Sequence, residues 1–147
     1  MKKIFSTEVS GSRDVILLVL RVAIAAMMLA HGIPKLQMLL SGGSAAFPGV
    51  LGMAPALALT LAVFAEVVCS LFILFGLGTR LAAIPLIITM LVAVLIVHAN
   101  DPFARQELGV HYLLFYVVLL FAGSGKYSAD YYISGKTGRA ASLQQAD

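Results

Sequence analysis

Val15-Ile16-Leu17-Leu18-Val19-Leu20-Arg21-Val22-Ala23-Ile24-Ala25-Ala26-Met27-Met28-Leu29-Ala30-His31-Gly32-Ile33 decides the fold class. The stretch is apolar over the length a helix needs to cross a bilayer, about 17–25 residues. Only Arg21 and His31 interrupt it. Three further apolar runs follow. The second extends from Ala54 to Leu77 with Glu66 inside it. The third, Leu81 to Val97, carries Pro85 in its first turns, where a missing N–H is tolerated. The fourth, Leu108 to Ala122, is short at about 1.5 Å per residue. Its helix is therefore expected to begin near Arg105, with Arg105 and Glu107 reaching out to the headgroups. None of the runs alternates apolar and polar residues as a membrane barrel requires. The sequence predicts an all-α polytopic membrane protein built as a four-transmembrane-helix bundle.

The composition agrees. Of 147 residues, 61% are hydrophobic and 12% charged, with a mean hydropathy of +0.98, against about 25% charged residues in soluble domains. A soluble globular protein is excluded, and so is a disordered chain, which needs low hydrophobicity. The net charge of +3 is spread over termini and loops without the basic stripe of a nucleic-acid binder. Met1-Lys2-Lys3-Ile4-Phe5 starts like a signal peptide, but Ser6 to Ser12 supplies no apolar core, so the N-terminus is expected to be retained. Lys2, Lys3, Arg13, Arg80, Lys126, Lys136 and Arg139 fall on one side of the spans, against Lys35 and Arg105 on the other. The positive-inside bias then puts both termini in the cytoplasm of a cell whose inner (plasma) membrane holds the chain. This divides the chain into a cytoplasmic segment 1–14, a transmembrane domain 15–125 and a tail 126–147. Tyr127, Tyr131 and Tyr132 are expected to anchor the start of the tail at the interface, and the chain past Ser134 to be disordered. Gln37 to Met53 is expected as a partly apolar outer loop.

An ionisable residue at the centre of a membrane helix costs at least about 2.5–3.5 kcal/mol, so each one needs a partner or a purpose. Counted from the expected ends of their runs, Glu66 lies roughly 18 Å down from the outer face and Arg21 about 9 Å up from the inner one. In a core of about 30 Å these depths nearly coincide, and an Arg21–Glu66 pair is the expected result, with Glu66 as a protonatable carboxylate. Small residues at helical spacing, Ala58, Ala62, Ala65 and Cys69 on one helix and Ala23, Ala26 and Ala30 on the other, predict that the first two spans pack together. Cys69 is the sole cysteine and reads as packing.

All three histidines fall on the outer side: His31 near the end of the first helix, His98 closing the third and His111 opening the fourth. Lys35 follows His31 by one turn, Pro34 frees the carbonyl of Ala30, and Tyr112 and Tyr116 follow His111. Histidine and tyrosine at a membrane interface suit a quinone, and histidines also suit haem or a metal ion, although no fixed ligand spacing supports a metal site. The plainer alternative is three independent histidines bonded to loops and water. A quinone-binding cluster of His31, Lys35, His98 and His111, with Glu66 and Arg21 beside it, is the sharper expectation. In it, Glu66 passes protons between the cluster and the inner half.

Several segments together resemble the DoxX family of small four-span membrane proteins. They are Arg21 with His31-Gly32-Ile33-Pro34-Lys35, Glu66 followed by Leu74-Phe75-Gly76-Leu77-Gly78-Thr79-Arg80, His98-Ala99-Asn100-Asp101-Pro102-Phe103, and Gly123-Ser124-Gly125-Lys126-Tyr127-Ser128-Ala129-Asp130. The resemblance extends to Tyr132. It implies a relative of the membrane subunit of thiosulfate:quinone oxidoreductase, and hence quinone-linked redox work with partner subunits or as a homo-oligomer. It also marks Arg21, His31, Lys35, Glu66, Arg80 and His98 as characteristic polar positions. With no electron carrier and a lone cysteine, the chain is expected to act at most as a subunit of an oxidoreductase. The alternative is a non-catalytic membrane scaffold or assembly factor whose buried polar groups only fix the bundle. A small-solute carrier fits less well, because the four spans lack repeat halves.

Overall fold

A computed structural model describes residues 10–135, all helix and connecting turns among those residues. Residues 1–9, with Lys2 and Lys3, lie outside the described residues. So does the chain from 136 onward, with Lys136, Arg139 and most of the tail expected to be disordered. Four long helices follow one another: α1 (Ser10–Leu40), α2 (Pro55–Phe75), α3 (Thr79–Val97) and α4 (Phe103–Ala122). A short helix, α5, covers 129–135. Helices α1, α2 and α3 are long and apolar enough to cross a membrane. α4 is as long, with 20 residues, but carries Arg105, Gln106, Glu107 and His111 in its first half.

The helix ends follow from local chemistry. α1 does not stop at Ile33. It continues through Pro34 to Leu40, giving up only the bond that Pro34 cannot donate, and ends at Gly42, whose φ of 75° is a left-handed cap. The outer loop is correspondingly shorter than expected. α2 opens on Pro55 after an extended Ala54. It closes with Gly76 in the left-handed region and Leu77 N–H donating to Phe72 O at 2.9 Å, a Schellman turn. α3 is capped from a distance: the Asp130 carboxylate accepts from Gly78 N at 2.7 Å and Thr79 N at 3.4 Å, where a negative charge is favoured. Pro85 lies seven residues into α3, within the helix rather than at its start. α4 begins at Phe103, two residues before the expected Arg105.

The core is a thin column of Ile24, Ala25, Met28, Ile73, Leu86, Tyr116 and Leu119 between the four helices. Phe75, Leu81, Leu95, Phe103 and Phe121 face outward, as they must where the surrounding solvent is hydrocarbon. The antiparallel register of α1 and α2 is set by two glycines. A Cβ at Gly32 would lie 2.8 Å from Val67 Cγ2 and 3.0 Å from the backbone of Glu66, and one at Gly76 would overlap the Arg21 guanidinium. Gly32 therefore sits level with Glu66, and Arg21 level with Gly76. The expected packing of α1 on α2 is present, with a different register.

Gly76 and Gly78 separate two effects that are usually confounded. Both have positive φ, but a Cβ at Gly78 meets nothing within 4 Å. Gly78→Ala is expected to cost only the backbone penalty, about 1 kcal/mol. Gly76→Ala should cost about 2–3 kcal/mol more, because the Arg21 side chain must leave its place. Thermal unfolding of the two variants in the same detergent micelle checks the difference.

Candidate functional site

The structure does not pair Arg21 with Glu66. Glu66 is bound instead by Lys35, whose Nζ donates to Oε1. The correction has a simple cause. Because α1 continues past Ile33, its outer end is seven residues further on, and Lys35 rather than Arg21 reaches the depth of Glu66. The carboxylate is sealed, with 2% of its side chain exposed, whereas Lys35 keeps 31%. Arg21 is 1% exposed and lies at the other end of the bundle. There it donates to the carbonyl of Tyr127 in a latch made with Gly76, Ser128 and Asp130. Asp130 N–H closes the latch by donating to Gly76 O at 3.0 Å. Arg21 therefore holds the inner ends of α1, α2 and the chain beyond α4 together, and has no place beside the carboxylate.

A cavity of about 170 Å³ opens above Glu66. Its polar lining comes from all four long helices: His31 and Lys35 on α1, Glu66 on α2, His98 at the end of α3, and Arg105, Gln106 and Tyr112 on α4. Met28 and Met90 close its floor. Two of the expected histidines thus converge, and the third does not. His111 is exposed, with Nδ1 against Glu107 O at 2.8 Å. Tyr112, Tyr116 and Leu119, at helical spacing, form the stripe of α4 that faces the bundle, and His111 lies about 100° away from Tyr112.

Each group is held. His98 Nδ1 donates to Asp101 Oδ2 at 2.7 Å, which leaves Nε2 as its free nitrogen. That bond, with Arg105 3.8 Å away, holds the Asp101 carboxyl below the ordinary carboxylate range. Gln106 Nε2 donates to His98 O at 2.8 Å and to Asp101 O at 3.0 Å, fastening the turn between α3 and α4. The His31 ring meets Tyr112 edge-on at 5.8 Å, and Tyr112 stacks on Tyr116 at 6.2 Å. Glu66 Oε2 and the Tyr112 hydroxyl are buried without a protein partner. Buried polar atoms of this kind are completed by water or by a ligand.

The backbone is irregular at the same place. α2 changes to i→i+5 bonding over Phe64–Cys69, around Glu66. α3 does so over Ala93–Val97, where His98 N–H donates to Ala93 O at 2.9 Å. π turns of this kind are uncommon and gather at functional sites. Nothing in the apolar runs 54–77 and 81–97 marks them. Below Glu66, Ser70 and Tyr116 are the next polar side chains, and beyond them Ile73, Leu86 and Leu119 fill the column. The proton route toward the inner half expected from the sequence has no further polar side chain there until Arg21 and Thr79.

Gln106 and Tyr112 join the site without belonging to the cluster expected from the sequence. The helical spacing of Tyr112, Tyr116 and Leu119 is the signal in the sequence. Among the described residues, no three His, Cys, Asp or Glu side chains form a group that could hold a metal ion. The residues present do fit a quinone: Lys35 and the Tyr112 hydroxyl are donors for ring carbonyls, the free His98 nitrogen is an acceptor for a hydroxyl of the reduced ring, and Glu66 is a proton acceptor beside them.

Comparison with curated proteins finds no match, and neither does comparison with solved structures. A protein-family model, DoxX, matches residues 16–99, a segment that includes His31, Lys35, Glu66 and His98 and stops before Tyr112. With more than half of its length matched and its apolar helices spanning the same segment, this membrane-embedded chain belongs to the DoxX family.

Proposed function

We propose that the protein is a four-span subunit of a quinone-linked redox complex in the plasma membrane, and that the cavity between its outer helix ends holds the quinone ring. The observation that carries this reading is the buried Glu66, tied to Lys35 through one oxygen, with no protein partner for the other, in the lining of a polar cavity. A carboxylate kept at this depth costs several kcal/mol, and a bundle that needed only stability would be better served by apolar packing. A bound quinone supplies two-electron, two-proton redox chemistry. The chain supplies hydrogen bonds from His31, Lys35 and Tyr112, an acceptor nitrogen on His98 for the reduced ring, and a carboxylate that takes or returns a proton on the outer side. Electrons come from a partner.

The topology belongs to the same reading. α4 is about 30 Å long at 1.5 Å per residue and returns along α3, which supports a fourth span. Arg13, Arg80 and Lys126 belong to one end of the bundle, Lys35 and Arg105 to the other, which supports an inner end bearing both termini.

Titration of a water-soluble, chainless benzoquinone onto the protein in nanodiscs, with empty nanodiscs as the control, tests this reading. Saturable binding is expected, weakened about two- to tenfold in His31→Ala and in Tyr112→Phe, as for one lost hydrogen bond each. Equal uptake by the wild type, both variants and empty discs would leave the scaffold reading in its place.

A further inference from the structure

A second cavity adjoins the first and differs from it in chemistry. It has a volume of about 360 Å³ and lies between α2, α3 and the loop 47–53. Its walls are apolar, with Ala58, Leu61 and Ala62 on α2, Ile88 and Val92 on α3, and Leu51 above. Lys35, Glu66, Ala93 and His98 line both cavities, so the two meet at the ion pair. At the other end Leu61, Ile88 and Leu51 are exposed on the lipid-facing surface. The groove exists because Ala58 and Ala62, one turn apart, present methyl groups where larger side chains would close the gap between α2 and α3.

We infer that this cleft binds the apolar chain of the ligand whose ring occupies the polar cavity, which makes that ligand a long-chain lipoquinone entering sideways from the bilayer. The inference rests on the quinone reading above and extends it. Three features favour this occupant over a phospholipid tail. The inner end of the cleft is a buried ion pair rather than a headgroup zone, a single amphiphile with a flat polar end fills both spaces without a break, and the open side faces hydrocarbon. An apolar chain lodged among fixed side chains gains contacts that fluid lipid does not hold in place.

The test uses two probes, a dimethoxy-methyl-benzoquinone with a long polyprenyl chain and the same ring with no chain, with occupancy counted by native mass spectrometry of the protein released from nanodiscs. The wild type is expected to retain the long-chain probe about tenfold more than the chainless one. Ala62→Phe, which fills the cleft, should bring the long-chain probe down to the chainless level and leave chainless binding unchanged. Should Ala62→Phe fail to fold, Ile88→Trp at the lipid-facing mouth gives the same readout from a position that bears no core contacts. The inference is overturned if both probes bind alike in the wild type, if neither variant changes their ratio, or if the variants expel a co-purifying phospholipid while the probes are unaffected. Failure of both probes to bind is a different outcome and removes the quinone reading itself.

Discussion

Lys35→Met is expected to destabilise the bundle by about 4 kcal/mol, Glu66→Leu by less, and the double variant to regain most of the loss. Removing one member of a buried ion pair costs about 3–5 kcal/mol because the other is left uncompensated. The two members are unequal here. Glu66 is sealed and has no second cation bonded to it, so the loss of Lys35 strands a carboxylate in the membrane. Lys35 is partly exposed, and without Glu66 its stem can carry the ammonium toward water. With both replaced by apolar side chains of similar length, the desolvation cost of both charges disappears. Unfolding in a fixed detergent, followed for the wild type, the two single variants and the double variant, gives the coupling directly. The double variant also separates site from scaffold. It should fold yet fail to bind the chainless benzoquinone, whereas a pair that served only register would leave the folded double variant with nothing to lose.

The second large effect lies at the opposite end. Arg21→Met is expected to cost about 3 kcal/mol, from a charged hydrogen bond to the Tyr127 carbonyl and a space left among Gly76, Ser128 and Asp130. The segment 123–128 should then become a site of rapid protease cleavage in nanodiscs. Arg21→Lys should not rescue it, because an ammonium cannot reproduce the planar fork. Quinone binding in the surviving folded fraction should be unchanged, since Arg21 is ten residues from His31, about 15 Å along α1. Loss of binding in proportion to folded Arg21→Met protein would contradict the separation of latch from cavity.

The all-helical, membrane-embedded character was legible because the bilayer imposes a length rule, and three apolar helices satisfy it. The polar residues that matter were legible too, because charge inside such a run is costly enough to stand out. Partnership was not. It depends on where α1 ends, and the apolar run breaks off at Ile33 whereas the helix continues to Leu40. Seven residues of extra helix moved Lys35, already noted beside His31, to the level of Glu66, and left Arg21 for a latch with Tyr127 and Asp130. His111 illustrates a second limit. Its depth is correct for the cavity, but depth and direction are independent on a helix, and only rotation about α4 decides between His111 and Tyr112. The two π turns have no apolar-pattern signature, since, Glu66 aside, either helix remains apolar through them.

Those turns also say something about how this chain tolerates changes in length. Each accommodates one residue more per turn than ordinary helix, so removing one residue within Phe64–Cys69 or Ala93–Val97 lets the helix revert to regular winding while the rest of the span keeps its path. The flanking apolar surface would survive such a deletion, but Glu66 or His98 would swing about 100° away from its partners. Shortened descendants of this sequence would therefore remain in the membrane as intact bundles with the chemistry erased, and chain length at these two points, rather than overall likeness, would tell working copies from silent ones.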